Sequence, residues 1–188
     1  AVVADAAAGG SHDDAIRAGE RVNEGRAGRG GVDENERALD GFEQFLEENP
    51  EGLGRVCFIL NIIPSRDAIP AYIDRKRKIE EKVSTINGKY STLQWQPVIY
   101  RYNHLDFDEL CALYQAADIG LLTPLRDGMN LVAKEYVASC LDKGVLILSE
   151  LTGAASELNE AVQVNPTDQE EVADAINIAT ALVSLTFL

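Results

Sequence analysis

Thr123-Pro-Leu-Arg-Asp-Gly-Met-Asn-Leu-Val-Ala-Lys-Glu-Tyr136 is the stretch on which the reading of the fold turns. The apolar run Ile119–Leu122 enters it, and a helical pattern from Leu131 to Leu141 leaves it. Asp127-Gly128 marks a sharp turn between the two, and Asn130 stands where a helix takes its N-cap. A strand that ends in such a turn and opens a helix is a ready anion site. Free N–H groups and the helix dipole there point the same way. In α/β folds this is where ligand chemistry is placed.

Working outward, apolar runs and amphipathic segments alternate. A helix is expected from Glu36 to Glu48, stopped by Asn49-Pro50, and a buried strand from Arg55 to Ile63, stopped by Pro64. A second helix is expected from Pro70 to Ile86, with Tyr72, Ile79, Val83 and Ile86 facing inward and Asn87-Gly88 as its end. Then come a strand at Pro97–Tyr102 and a helix at Asp106–Ala117 carrying Phe107, Leu110, Cys111 and Tyr114 on one stripe. Beyond the central stretch, Gly144–Leu148 and Ala161–Val164 read as strands. Thr167-Asp-Gln-Glu170 reads as a capping box opening the last helix. Strands alternating with helices imply an α/β fold: a Rossmann-like parallel sheet with helices on both faces.

The 188 residues fit one domain. Ala1 to Gly30 is rich in Ala, Gly, Arg and Asp, lacks aromatic residues and shows no sustained period. It reads as an atypical, disordered tail ahead of a domain over 31–188. A net charge of −14 argues against nucleic acid or an anionic membrane as partner. No run approaches the ~18 apolar residues of a membrane span, and no signal peptide is recognisable. Cys57, Cys111 and Cys140 have no metal-ligand spacing and sit among apolar residues, which suits a reducing, cytoplasmic setting.

The central stretch closely resembles the signature of retaining glucosyltransferases of the trehalose-6-phosphate synthase family. Ile62-Ile-Pro-Ser-Arg66 with Tyr72, Ile86-Asn-Gly-Lys-Tyr90, Trp95, Pro97, Ser149-Glu-Leu-Thr-Gly-Ala-Ala155, Glu157-Leu158 and Val164-Asn-Pro166 extend the likeness from about Phe42 to Ala181. Glucosylglycerol-phosphate synthases are near relatives, and Met129 in place of Leu leans toward the trehalose enzymes.

The resemblance implies the C-terminal, donor-binding half of a two-Rossmann (GT-B) glycosyltransferase. Its reaction is glucose transfer from UDP-glucose to glucose 6-phosphate, giving trehalose 6-phosphate, with no cofactor and no metal. Asp127 with the backbone of Gly128, Met129 and Asn130 matches the segment that holds the donor's glucose and phosphates. Leu131, Val132, Ala133 and Lys134 match its continuation along the nucleotide. Glu135 matches the carboxylate on the ribose hydroxyls, and Leu105 the main-chain position on uracil. Arg66 matches an arginine on the acceptor's phosphate. Without the resemblance, Asp127-Gly128 reads equally as a plain turn, Lys134 and Glu135 as a solvated helix face, and Arg66 as a local partner of Asp67.

Two departures bear on activity. The family's N-terminal acceptor half, with its catalytic histidine, has no counterpart here: His12 matches no motif, and His104 reads as structural. The family's donor half also opens with a strand and a basic segment resembling V-D-R-L-D-Y-T-K-G. Gly31–Gly41 is read at that place, with Glu34 at the Arg position and Leu39 (or Asp40, with a shift of one) at the Lys position. Losing two charged contacts to phosphate costs about 3–6 kcal/mol. The chain alone is therefore expected to be inactive, and to need a separate acceptor-domain chain. The competing readings are a non-catalytic nucleotide-sugar-binding or regulatory module, or an inactive remnant.

Overall fold

The structure is a computed structural model that describes residues 2–5, 34–64, 70–140 and 144–186. Among these residues six strands form one sheet: β1 (Val2–Asp5), β2 (Phe58–Ile62), β3 (Val98–Tyr102), β4 (Ile119–Leu122), β5 (Val145–Ser149) and β6 (Val162–Val164). The helices are α1 (Glu34–Glu48), α2 (Pro70–Tyr90), α3 (Phe107–Ala116), α4 (Leu131–Ser139) and α5 (Gln169–Thr186). All strand pairs are parallel, in the order β3-β2-β1-β4-β5-β6. This is the doubly wound order, which reverses between β1 and β4.

Period-two alternation divides the core between the two faces of the sheet. Phe58, Leu60, Val98, Ile119, Leu121, Ile147 and Val164 join the buried stripes of α1, α2 and α5 in one apolar cluster. Leu122, Leu146 and Leu148 instead join Tyr114 of α3, Val132, Ala133 and Tyr136 of α4, and Ala154 and Ala155.

On the first face three phenylalanines set the packing, with Phe42 against Phe45 at 6.1 Å and against Phe58 at 5.1 Å between ring centroids. Burying such rings stabilises by roughly 1.5–3 kcal/mol each. A β carbon on Gly41 would stand 2.5 Å from Val172 Cγ1, so α1 and α5 meet at a point where only glycine fits. Lys82 pairs with Asp40 and Glu43, and Lys89 with Glu43 and Glu47, lacing α2 to α1 along the solvent edge. Lys89 holds the Glu47 carboxyl below the usual range.

Several expectations need correction. Val2–Asp5, expected to lie in a tail without structure, form the central strand between β2 and β4. The rest of the expected tail lies outside the described residues. Of Gly31–Gly41, aligned with the family's phosphate segment, Glu34 to Gly41 are the first turns of α1, in line with the helix expected from Glu36 to Glu48, and Leu39 is fully buried in the core. A buried helical leucine cannot stand in for a lysine on phosphate. Positions 34 and 39 are helical, so their alignment with the family's phosphate-gripping Arg and Lys does not hold.

The helix α2 runs through Asn87-Gly88 to Tyr90. Asn87 Nδ2 donates to the Val98 carbonyl at 3.0 Å, and Val98 N–H donates to Asn87 Oδ1 at 3.0 Å. That double bond to the start of β3 offsets the turn tendency of the pair. Phe107, expected inward, is 77% exposed at the start of α3. The cap of α5 lies one residue later than expected. Asp168 accepts the Glu171 N–H, while the Thr167 hydroxyl donates to Asn165.

Candidate donor site at the topological switch

Helix α1 packs on one face of the sheet and α4, which follows β4, on the other. The crevice beyond the C-terminal ends of β1 and β4 is where such sheets bind ligands. Among the described residues, the loop 123–130 stands there. It starts at buried Thr123 and ends at buried Asn130, with Gly128 and Met129 exposed between them.

Hydrogen bonds set the shape of this loop. Asp127 Oδ1 accepts the N–H groups of Met129 at 2.9 Å and Asn130 at 3.0 Å. Asn130 is the one non-glycine residue with positive φ among the described residues, at 62°. There its Oδ1 accepts the Ala133 N–H at 2.9 Å and caps α4. Asparagine tolerates this left-handed conformation better than most residues. The Leu131 and Val132 N–H groups precede the capped one and face out of the helix's open end.

The loop after β5 braces the first. Thr152 forms a parallel bridge with Asp127, and Gly153 N–H donates to the Asp127 carbonyl at 3.1 Å. Ser149, fully buried, accepts the Leu151 N–H, and the Thr152 hydroxyl donates to the Ser149 carbonyl at 3.0 Å. Lys134 Nζ sits 2.8 Å from Glu157 Oε2, tying α4 to the end of the same loop.

The sequence-predicted residues divide accordingly. Asp127 is engaged in holding the loop's own amides, so two of the N–H groups expected against donor already have an intramolecular acceptor. Gly128 is open, with free space where a β carbon would point. Val132 and Ala133 turn their side chains into the core, Leu131 is half-buried, and Lys134 is ion-paired. Glu135 lies exposed on α4. Leu105 is half-buried in the loop after β3, just ahead of Asp106, which caps α3 in a box with Glu109. Arg66 lies outside the described residues. Sequence reasoning missed the bracing by 149–153. The signal available was a run of small residues, Thr152-Gly-Ala-Ala155, separated by two residues from a strand.

Beneath α4, a β carbon on Gly120 would stand 2.8 Å from the Tyr136 ring, so this glycine lets the helix lie close on β4. Tyr136 also meets Tyr114 edge to face at 6.0 Å, and burial pushes its hydroxyl well above the ordinary tyrosine range. A cavity of about 330 Å³ lined by Phe45, Arg55, Asp118 and Val183 opens at the opposite end, where the strands begin, and contains no motif residue. Its position excludes it as the site of the loop chemistry. Among the described residues no group of three or more His, Cys, Asp or Glu could hold a metal ion, and no helix is long and apolar enough to cross a membrane.

Residues 31–184 match the profile of Glycosyltransferase family 20. The chain belongs to this family. It is 50% identical over 147 residues to the bifunctional trehalose-6-phosphate synthase/phosphatase of Thermoproteus tenax, which covers 78% of this chain and 20% of that protein. Its fold matches the Escherichia coli trehalose-6-phosphate synthase structure bound with UDP-2-fluoro glucose (TM-score 0.79, 34% identity, 96% of this chain and 36% of that one). It likewise matches the UDP-forming trehalose-phosphate synthase of Burkholderia xenovorans in complex with glucose-6-phosphate (TM-score 0.77, 34% identity, 95% of this chain and 35% of that one). The chain thus spans a fifth to about a third of the length of these relatives. The α/β layer is the fold of the matched third of these structures, in line with the parallel sheet that the resemblance implied.

Proposed function

We propose that this unit binds UDP-glucose and presents it for transfer to glucose 6-phosphate, forming trehalose 6-phosphate, with the acceptor held by a second Rossmann-like half. The observation that carries the reading is the braced loop 123–130 at the topological switch. In this reading the donor's phosphates lie against the open end of α4, where Gly128, Leu131 and Val132 present N–H groups and the dipole favours negative charge. Glu135 takes the ribose hydroxyls and Leu105 the uracil through its main chain. Arg66 takes the acceptor phosphate. Asp127 works through the loop it shapes.

Transfer with retention breaks the bond between the anomeric carbon and UDP and forms one to the acceptor hydroxyl on the same face. The acceptor's proton passes to the departing phosphate. The protein's part is positioning and charge stabilisation, with no cofactor or metal in the step. The three free, half-buried cysteines suit the cytoplasm, where we place the reaction.

Calorimetry with UDP-glucose, then an assay for trehalose 6-phosphate after mixing with a relative's acceptor half, tests the proposal. Donor binding by the unit, with product only in the mixture, is the expected result. No donor binding, alone or in the mixture, overturns it.

A further inference from the structure

The strongest unassigned feature near the site is the fit between Gly153 and Gly128. A β carbon on Gly153 would lie 2.1 Å from the Gly128 carbonyl oxygen, 2.9 Å from its carbonyl carbon and 3.5 Å from Met129 Cα. Those are backbone atoms, which cannot rotate aside as a side chain can. Among the described residues the positive-φ glycines are Gly54 and Gly144, and Gly153 is not one of them. The position therefore requires glycine for room and not for conformation. Its N–H also holds the Asp127 carbonyl, and its neighbour Thr152 bridges Asp127. One residue thus touches the loop by hydrogen bond on one side and by close packing on the other.

We propose that Gly153 is a positioning residue for the donor: it sets where the Gly128–Asn130 backbone stands, and through that backbone the donor's phosphates. This rests on the reading of the loop as the donor site. Any side chain at 153 must drive the Gly128 carbonyl roughly 1 Å or more to reach ordinary contact distance. Displacements of that size at a reacting group cost up to about a hundredfold. The Lys134–Glu157 ion pair limits relief, because α4 is itself held to the end of the bracing loop.

Two measurements test it. In the unliganded native chain, the Gly153, Met129 and Asn130 amides exchange hydrogen as one unit, with the same response to low denaturant. Independent opening of Gly153 overturns the proposal, whatever the donor does. In Gly153→Ala, exchange at Met129 and Asn130 rises about tenfold or more and UDP-glucose affinity falls about tenfold or more. The Gly88→Ala control, whose β carbon meets nothing, leaves both unchanged. Unaltered Met129 and Asn130 exchange in a folded Gly153→Ala protein also overturns the proposal. Failure of the native chain to bind UDP-glucose speaks against the donor reading alone, since the exchange readouts need no ligand.

Discussion

The two faces of the sheet are built by different means. The face under α1, α2 and α5 is held by burial of large apolar side chains, with Phe42, Phe45 and Phe58 at its centre. The face under α3 and α4 has a smaller core, and its outer loops are fixed by hydrogen bonds that Asp127, Asn130 and Ser149 accept and Gly153 donates. Burial is non-directional and tolerates modest shifts, whereas hydrogen bonds fix position. The difference separates stability from placement: the first face keeps the layer folded, and the second fixes where the N–H groups of the loop stand.

The largest expected effect that would break this division is at Phe42. Phe42→Ala should lower unfolding free energy by about 3–5 kcal/mol, read from the urea midpoint, while UDP-glucose affinity of the folded protein stays the same. A matching loss of affinity would show that the first face also places the loop. Asp127→Ala should do the converse. It removes an acceptor shared by two amides, worth about 1.5–3 kcal/mol locally, so Met129 and Asn130 exchange faster while the global midpoint barely moves.

Gly120→Ala sharpens the comparison because it strikes the junction between core and loop. Its β carbon would press on the Tyr136 ring, costing about 1–3 kcal/mol and lifting α4, so stability and donor affinity should fall together. The smallest effect belongs to Gly88→Ala on the first face. An unhindered helical site should gain about 0.5–1 kcal/mol in thermal or urea unfolding, with no change in binding.

How far the sequence could be read follows the same division. The strand Ile119–Leu122 and the helix that opens at Leu131 were legible because a four-residue apolar run and an Asn cap are local signals. The strand β1 was not. Val2–Asp5 is a short apolar run beside alanines and glycines, and its place in the middle of the sheet comes from its neighbours β2 and β4. With it missed, Gly31–Gly41 is aligned to a phosphate segment although a helix is already expected from Glu36. Asn87-Gly88 looked like a helix end, and only the distant pairing with Val98 shows why α2 continues. At the site, the motif identified the loop residues. It could not reveal that Asp127 is engaged with the loop's own amides, or that Gly153 braces them, because both depend on chain geometry in space.

The most direct test of the account is a nuclear magnetic resonance titration of the chain with UDP-glucose, following backbone amides. The account predicts saturable shifts concentrated at Gly128, Met129, Asn130, Leu131 and Val132, with Phe42 and Val172 unmoved. Saturable shifts confined to the far end of the sheet around Arg55 and Asp118, or none at all, would contradict it.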